Sequence, residues 1–349
     1  MTDDLLGKIF YHLCARGPLS LRHLLFVSRR FHHVAVNNAQ LWTVISLDDA
    51  FSHHFYQWPE QGDRFVILCL LRSDTLPLCL YITCYSLGPR DCDVLLHPLA
   101  TFGKPEWRGF QRCTSLVWDA TNHVDGMSVT QRFMEVLPKS FPALKHLSLS
   151  FFKDPTSASQ FPNCPVLERV EILNHHIPYL PRWDTNFLYV STLSFGNDNS
   201  WAGFDLTTLS LFPGLHDLTL FTVYSTTTTT SSFIVPIIFE HLHILRVRGG
   251  IPPELLNKLA APALEELHLE ANANDTTSID ALQTSFDPLC LYVHALLPEA
   301  VSAREPEWAT NLSKLVQRCT RITSLHISRW MEEECEIFLS GQDVVLHVQ

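Results

Sequence analysis

The chain has 349 residues, of which 46% are hydrophobic and 17% charged, and its formal net charge is -11 with its 18 histidines neutral. That balance suits a chain that buries a core and excludes global disorder. The acidic charge argues against general binding to nucleic acid, which needs Lys and Arg to displace counterions. No run of 18 or more apolar residues occurs, and Asp3 and Asp4 stand where a secretion signal carries basic residues. The expectation is a cytoplasmic or nuclear chain with no membrane partner, whose ten scattered cysteines are free thiols.

The first elements are helical. Leu5, Leu6, Ile9, Phe10 and Leu13 recur at helical spacing and make one apolar stripe. Asp3 and Asp4 sit where the helix dipole favours negative charge. Gly17-Pro18 predicts the end of this helix. Leu21, Leu24 and Leu25 fit a second short helix, and Val27, Phe31, Val34 and Ala35 a third that ends at Asn37-Asn38.

The texture then changes to an internal repeat. "FPALKHLSLS" (141–150), "CPVLERVEIL" (164–173), "FPGLHDLTLF" (212–221) and "APALEELHLE" (261–270) share Pro, one residue, then apolar-x-x-apolar-x-apolar. Weaker copies stand at 188–195, 240–247 and 320–327. "CTSLVW" (113–118) reads as a diverged first copy and 288–295 as a degenerate unit. The leading positions Leu144, Leu167, Val190, Leu215, Leu242 and Leu264 are 22 to 27 residues apart. That period is the one used by leucine-rich repeats. Each x-apolar-x-apolar core predicts a short strand that cannot bury its inward face alone, so copies stack in parallel. Helix-like returns are predicted at 129–141, 252–261 and 308–319, and the polar tract 224–232 reads as a loop. The Asn that usually bonds the turn is present only as Asn272, so the solenoid is expected to be irregular.

Residues 3–47 resemble an F-box. Leu5-Leu6, Ile9-Phe10 and Leu13 fill the apolar positions of its first half, with Asp4 in place of Glu. Val27-Ser28-Arg29-Arg30-Phe31, Ala35 and Leu41-Trp42 resemble its second half, and "RSDTLPLCLYI" (72–82) is similar to a stretch that follows the box in fungal F-box proteins. Met1 and Thr2 fall where the pattern has Leu-Pro, so the box is either truncated at its N-terminus or divergent in its first turn. The expected fold is α/β: a three-helix F-box over 1–47, followed over 48–349 by an irregular leucine-rich-repeat-like solenoid of parallel strands and helices.

The resemblance implies a non-catalytic substrate receptor of an SCF-type (cullin-RING) ubiquitin ligase. The box would bind a Skp-type adaptor, and through it a cullin, while the repeats hold a substrate protein. A three-helix unit of this size leaves apolar surface exposed, and such surface marks an interface. The candidate adaptor contacts are Leu5, Leu6, Ile9, Leu13, Leu24, Val27 and Trp42. The bland reading of Trp42 is that it knits the box onto the first repeat. The alternative function is a repeat scaffold with a decayed box and no ligase role.

The sharper chemical readings are weaker. Arg29-Arg30 with His32-His33 is too small for a nucleic-acid face. The pairs His32-His33, His53-His54 and His175-His176 point apart on a helix or strand, so no metal site is expected. No nucleophile elbow, phosphate loop or zinc helix motif occurs, so neither cofactor nor enzyme activity is expected. The polar residues between inward apolars should share one exposed sheet face. It would carry His146, Ser148 and Ser150; Arg169 and Glu171; Asp217 and Thr219; Arg246 and Arg248; Glu266, His268 and Glu270; Ser324 and His326. This face is the candidate substrate-binding surface, with Arg246/Arg248 expected on the strand next to Glu266/Glu270.

Overall fold

A strand with one apolar face must set that face against another layer, and parallel copies in register do so row by row. The computed structural model describes residues 2–14, 24–47, 59–84, 89–120, 132–151, 162–174, 187–197, 206–222, 237–248, 259–272, 288, 290–296, 321–327 and 345–348. It is a mixed α/β protein whose strands pair in parallel. The chain forms two units, Met1–Arg169 with Pro181–Asp184 and Val170–Leu180 with Thr185–Gln349, so the boundary expected at 47/48 lies inside the first. No helix among the described residues is long and apolar enough to cross a membrane.

In the first unit, α1 (Asp3–Cys14) packs on α2 (Arg29–Asn37). The Phe10 and Phe31 rings meet at 4.9 Å, and Arg30 reaches Asp3 at 2.7 Å. Ser28 caps α2, its hydroxyl accepting the Phe31 N–H at 3.1 Å. Gly7 permits the close approach of Asn38, because a Cβ there would lie 2.8 Å from the Asn38 amide nitrogen. Residues 24–27 are helical, and the predicted stop at Gly17-Pro18 lies outside the described residues. A turn of 3-10 helix, Ala39–Trp42, then leads into β1 (Val44–Leu47).

β1 is the first strand of the sheet, so the last residues assigned to the box belong to the repeats. The order is β1, β2 (Leu78–Thr83), β3 (Cys113–Ala120), β4 (His146–Phe151), with each pair parallel. Ile45, Leu80, Leu116 and Leu147 form one buried row, and Leu47, Ile82, Trp118 and Leu149 the next. Helices α3 (Pro59–Arg72) and α4 (Pro89–Phe102) pack together, burying Val66, Cys69 and Leu70 from one and Leu99 and Phe102 from the other. A short α5 (Gly109–Arg112) enters β3. Residues 132–136 supply helix within the return predicted at 129–141.

The second unit takes most of β5 (Arg169–Asn174), then β6 (Thr192–Asn197), β7 (Asp217–Thr222), β9 (Ile244–Arg248), β11 (Glu266–Asn272), β12 (Cys290–Leu296), β13 (Ser324–Ile327) and β14 (Val345–Val348), in that sheet order. A separate parallel pair joins β8 (Ile237–Ile238) to β10 (Leu259–Ala260). The end of the predicted return 252–261 is therefore strand; its remainder, the return at 308–319 and the tract 224–232 lie outside the described residues. Val170, Leu193, Leu218, Leu245, Leu267, Leu291 and Leu325 are the inward residues of successive strands and all are buried. β14 is a copy that the repeat pattern did not predict.

The Pro of each strong copy sits in a β-turn. In the second unit the Leu215 and Leu264 N–H groups donate to the Phe212 and Ala261 carbonyls at 3.3 and 3.1 Å, and the weaker copy at 188–195 keeps the same turn without Pro, Val190 N–H donating to the Phe187 carbonyl at 3.3 Å. Phe187, Phe212 and Ala261 are themselves buried, so the turn's first residue belongs to the core. Backbone also joins successive copies at the entry to each strand. One carbonyl after each leading apolar residue accepts two N–H groups from the next copy: Ser191 from His216 and Asp217, His216 from His243 and Ile244, and His243 from Glu265 and Glu266, all at 2.8–2.9 Å.

Arg112 ties the first unit's layers together. Its guanidinium donates to the Leu76 carbonyl at 2.9 and 3.1 Å, to Ser73 Oγ at 2.7 Å and to the Leu70 carbonyl at 3.4 Å. A cation there also meets the negative end of the α3 dipole. Arg112→Met is expected to lower the unfolding free energy by about 2 kcal/mol, because it removes the guanidinium donor from Ser73 Oγ and the Leu76 carbonyl. Urea titration measures the loss. Arg112→Lys does not restore it, because an ammonium cannot span the same fork.

Candidate functional site

Two surfaces emerge, one in each unit. The first is on α1. Its apolar stripe is wider than the cover its own unit supplies. Leu6 and Phe10 are buried against α2 and its neighbours, whereas Leu5 is 48% and Ile9 40% exposed. On the helical turn ahead of α2, Phe26 and Val27 are 80% and 62% exposed. Leu24 is half-buried, and of Leu13 the structure describes the backbone alone.

Two of the seven candidate adaptor contacts are not surface residues. Leu6 points into the unit, and Trp42 is buried with its indole N–H donating to the Ala35 carbonyl at 2.9 Å. An indole that must satisfy its N–H inside the fold serves best as the joint between α2 and β1. Phe26 and Tyr11 are exposed instead, and neither was singled out. Their signal was weak: each is one large apolar residue outside the stripe. On the other flank of α1 lies a polar groove of about 620 Å³, lined among others by Asp4, Lys8, Tyr11, His33, Asn37 and Gln40.

The second surface is the polar face of the second unit's sheet. Alternation places Glu171, Asp217, Thr219, Arg246, Arg248, Glu266, His268, Ser324 and His326 opposite the buried rows, as the pattern implies. Glu270 shares that register position opposite Arg248. His146, Ser148, Ser150 and Arg169 belong to the first unit. There Ser115 Oγ and His146 Nδ1 are 3.0 Å apart across β3 and β4.

Arg246 does sit on the strand next to Glu266, but the register sets it beside His268. Its ion pair is with Asp217 of β7, on the opposite side. Both side chains are about three-quarters covered, at 28% and 23% exposure. Glu266 turns to His268, with Oε2 and Nε2 3.0 Å apart. Asp217 and Glu266 are both register partners of Ile244, so each lies one rung from Arg246, and the engagement of Glu266 by His268 accompanies the pairing of Arg246 with Asp217.

From His268 onward the same face carries a stack of rings. His268 and Tyr292 lie 4.1 Å apart with 3° between planes, Tyr292 and His326 4.3 Å and 14°, and His326 and His347 4.4 Å and 9°. Parallel pairing in register sets equivalent side chains side by side at about the inter-strand spacing of 4.8 Å. Tyr292 and His347 were missed. Their signal is the recurring Leu-His-Leu, Leu-Tyr-Val, Leu-His-Ile and Leu-His-Val at 267–269, 291–293, 325–327 and 346–348.

No group of His, Cys, Asp and Glu among the described residues is arranged to hold a metal ion. The described free thiols Cys69, Cys113 and Cys164 are buried, and burial pushes each thiol up from its ordinary value, Cys164 to about 12. A thiol held in its neutral form is a poor nucleophile.

The Cys164 shift has a consequence for alkaline stability. Its folded value lies above its ordinary 9.0, so its contribution is present below pH 9 and is lost as pH rises toward 12. The urea midpoint is expected to fall between pH 8.5 and 11, and to fall less in Cys164→Ala. A thiol reagent at pH 8 is expected to leave Cys69, Cys113 and Cys164 unmodified until the protein is unfolded.

No protein-family model matches the chain, and no curated protein matches it, so its function is argued from these two surfaces.

Proposed function

We propose that this protein is the substrate-recognition subunit of an SCF-type (cullin-RING) E3 ubiquitin ligase, a receptor with no catalytic residues of its own. In this reading α1 and the turn ahead of α2 dock on a Skp-type adaptor, and the sheet holds the substrate. The observation that carries it is the uncovered half of the α1 stripe. Leu5 and Ile9 lie one helical turn apart, and Phe26 and Val27 add apolar surface on the next segment. The resemblance of residues 3–47 to an F-box supports the same assignment. Function then comes from proximity: the receptor holds the substrate near a conjugating enzyme recruited elsewhere in the complex. No nucleic acid and no cofactor enter the scheme.

A second reading, a repeat scaffold with a decayed box, draws on the burial of Leu6 and Trp42, which leaves a smaller apolar surface than the motif suggests.

Co-purification separates the two. The intact chain is expected to capture a Skp-type adaptor. Ile9→Asp combined with Val27→Asp is expected to weaken capture at least about tenfold, since a charge in an interface core opposes burial. Both positions are exposed in the free chain, so its thermal midpoint should stay close to that of the parent. Absence of capture by the intact chain overturns the ligase reading and favours the scaffold.

A further inference from the structure

We infer that Ser28 is a phosphorylation site and that its phosphate closes the docking surface to the adaptor. The inference rests on the reading above for the identity of the partner that is released.

Ser28 is exposed, and it stands inside the surface assigned to the adaptor. Phe26 and Val27, 80% and 62% exposed, precede it directly, and α2 begins at Arg29. The order Phe26-Val27-Ser28-Arg29-Arg30 therefore sets one hydroxyl between the apolar part of the segment and its two cations. The Ser28 backbone is extended, with φ -161° and ψ 162°, and breaks the chain between the helical turn 24–27 and α2. An exposed hydroxyl at such a break is open to a second protein. The adjacent arginines add a charge pattern that an acidic kinase cleft reads.

The step is phosphoryl transfer from ATP, brought with Mg²⁺ by a protein kinase. Ser28 Oγ attacks the γ-phosphorus, and the Oγ–P bond forms as the bond to the β,γ-bridging oxygen breaks. ADP leaves, and the hydroxyl proton passes to the kinase's catalytic carboxylate.

The phosphate acts in opposite directions on the chain and on the interface. Within the chain it is tolerated. Ser28 Oγ accepts the Phe31 N–H at 3.1 Å, and phosphate oxygens keep acceptors at that place. α2 has no acid in its first turn, and Asp3, which reaches this end of the helix, is paired with Arg30 at 2.7 Å. Across the docking surface the same group is costly. A phosphoserine carries a charge of about -1.5 to -2 at neutral pH. Covering Phe26 and Val27 would draw that charge out of water beside them, and desolvating a charge opposes association. The modified chain thus stays folded while its docking surface is shut.

The test measures adaptor capture and thermal midpoint for four full-length chains: the parent, Ser28→Asn, Ser28→Asp, and a chain with phosphoserine installed at position 28 during translation. Asn and Asp cap a helix about as well as Ser, and they differ from each other by one charge. Ser28→Asn is expected to capture adaptor as the parent does. Ser28→Asp should weaken capture about threefold and phosphoserine at least about tenfold, with midpoints no lower than the parent's. In the parent chain isolated from eukaryotic cells, mass spectrometry should find phosphate on Ser28, enriched in the fraction free of adaptor. Equal capture by the parent and the phosphoserine chain overturns the inference. So does equal weakening in Ser28→Asn and Ser28→Asp, which would make the hydroxyl a plain contact. A Ser28 without phosphate in the isolated chain overturns its assignment as a modification site. Failure of the unmodified parent to capture adaptor sinks the ligase reading, whereas capture that phosphoserine leaves unchanged sinks this inference alone.

Discussion

Parallel pairing in register is the constraint on which the rest depends. Hydrogen bonds hold neighbouring strands about 4.8 Å apart and leave equivalent residues no choice but to form a row. A row of leucines becomes core, as at Val170, Leu193, Leu218, Leu245, Leu267, Leu291 and Leu325. A row of rings becomes a stack, as at His268, Tyr292, His326 and His347. The same rule sets the choice of charge partners. Asp217 and Glu266 both stand opposite Ile244, one rung from Arg246 on either side; Arg246 takes Asp217 while Glu266 takes His268.

The N-terminal helices depend on that sheet as well. α1 and α2 bury Leu6, Phe10, Val34 and Ala35 but share too few partners to cover the whole stripe. Trp42 then passes from the helices to β1, its N–H bonded to Ala35 and β1 paired with β2. The helical segment is thus an end piece of a repeat array as much as a separate module. Its uncovered residues are those that face away from the joint.

Much of this was legible in the residues. The 22 to 27 residue spacing located β4 to β7, β9 and β11, and alternation assigned their faces correctly. The earliest strands were harder because their copies are farther apart. Val44, Cys79, Ser115 and His146 are register partners in turn, yet they are separated by more than 30 residues at each step. α3 and α4 fill two of those intervals, and no Pro turn marks β1, β2 or β3. β14 was lost for a different reason. Its copy keeps only Leu-His-Val and lacks the leading apolar-x-x that anchors the pattern. Trp42 shows the limit at the candidate site. A motif can name a large aromatic, but whether it faces a partner or its own chain depends on where its N–H finds a carbonyl.

The doubly accepting carbonyl in each turn has a consequence of its own. Ser191, His216 and His243 join successive copies through main-chain oxygen alone, so the side chains at those positions are not needed for the joint. A hydroxyl and two imidazoles occupy the same structural post. Every non-proline residue carries the same main-chain oxygen, so a joint of this kind tolerates any such residue at the post. The surface chemistry at these posts can therefore change one repeat at a time while the joint between copies is kept.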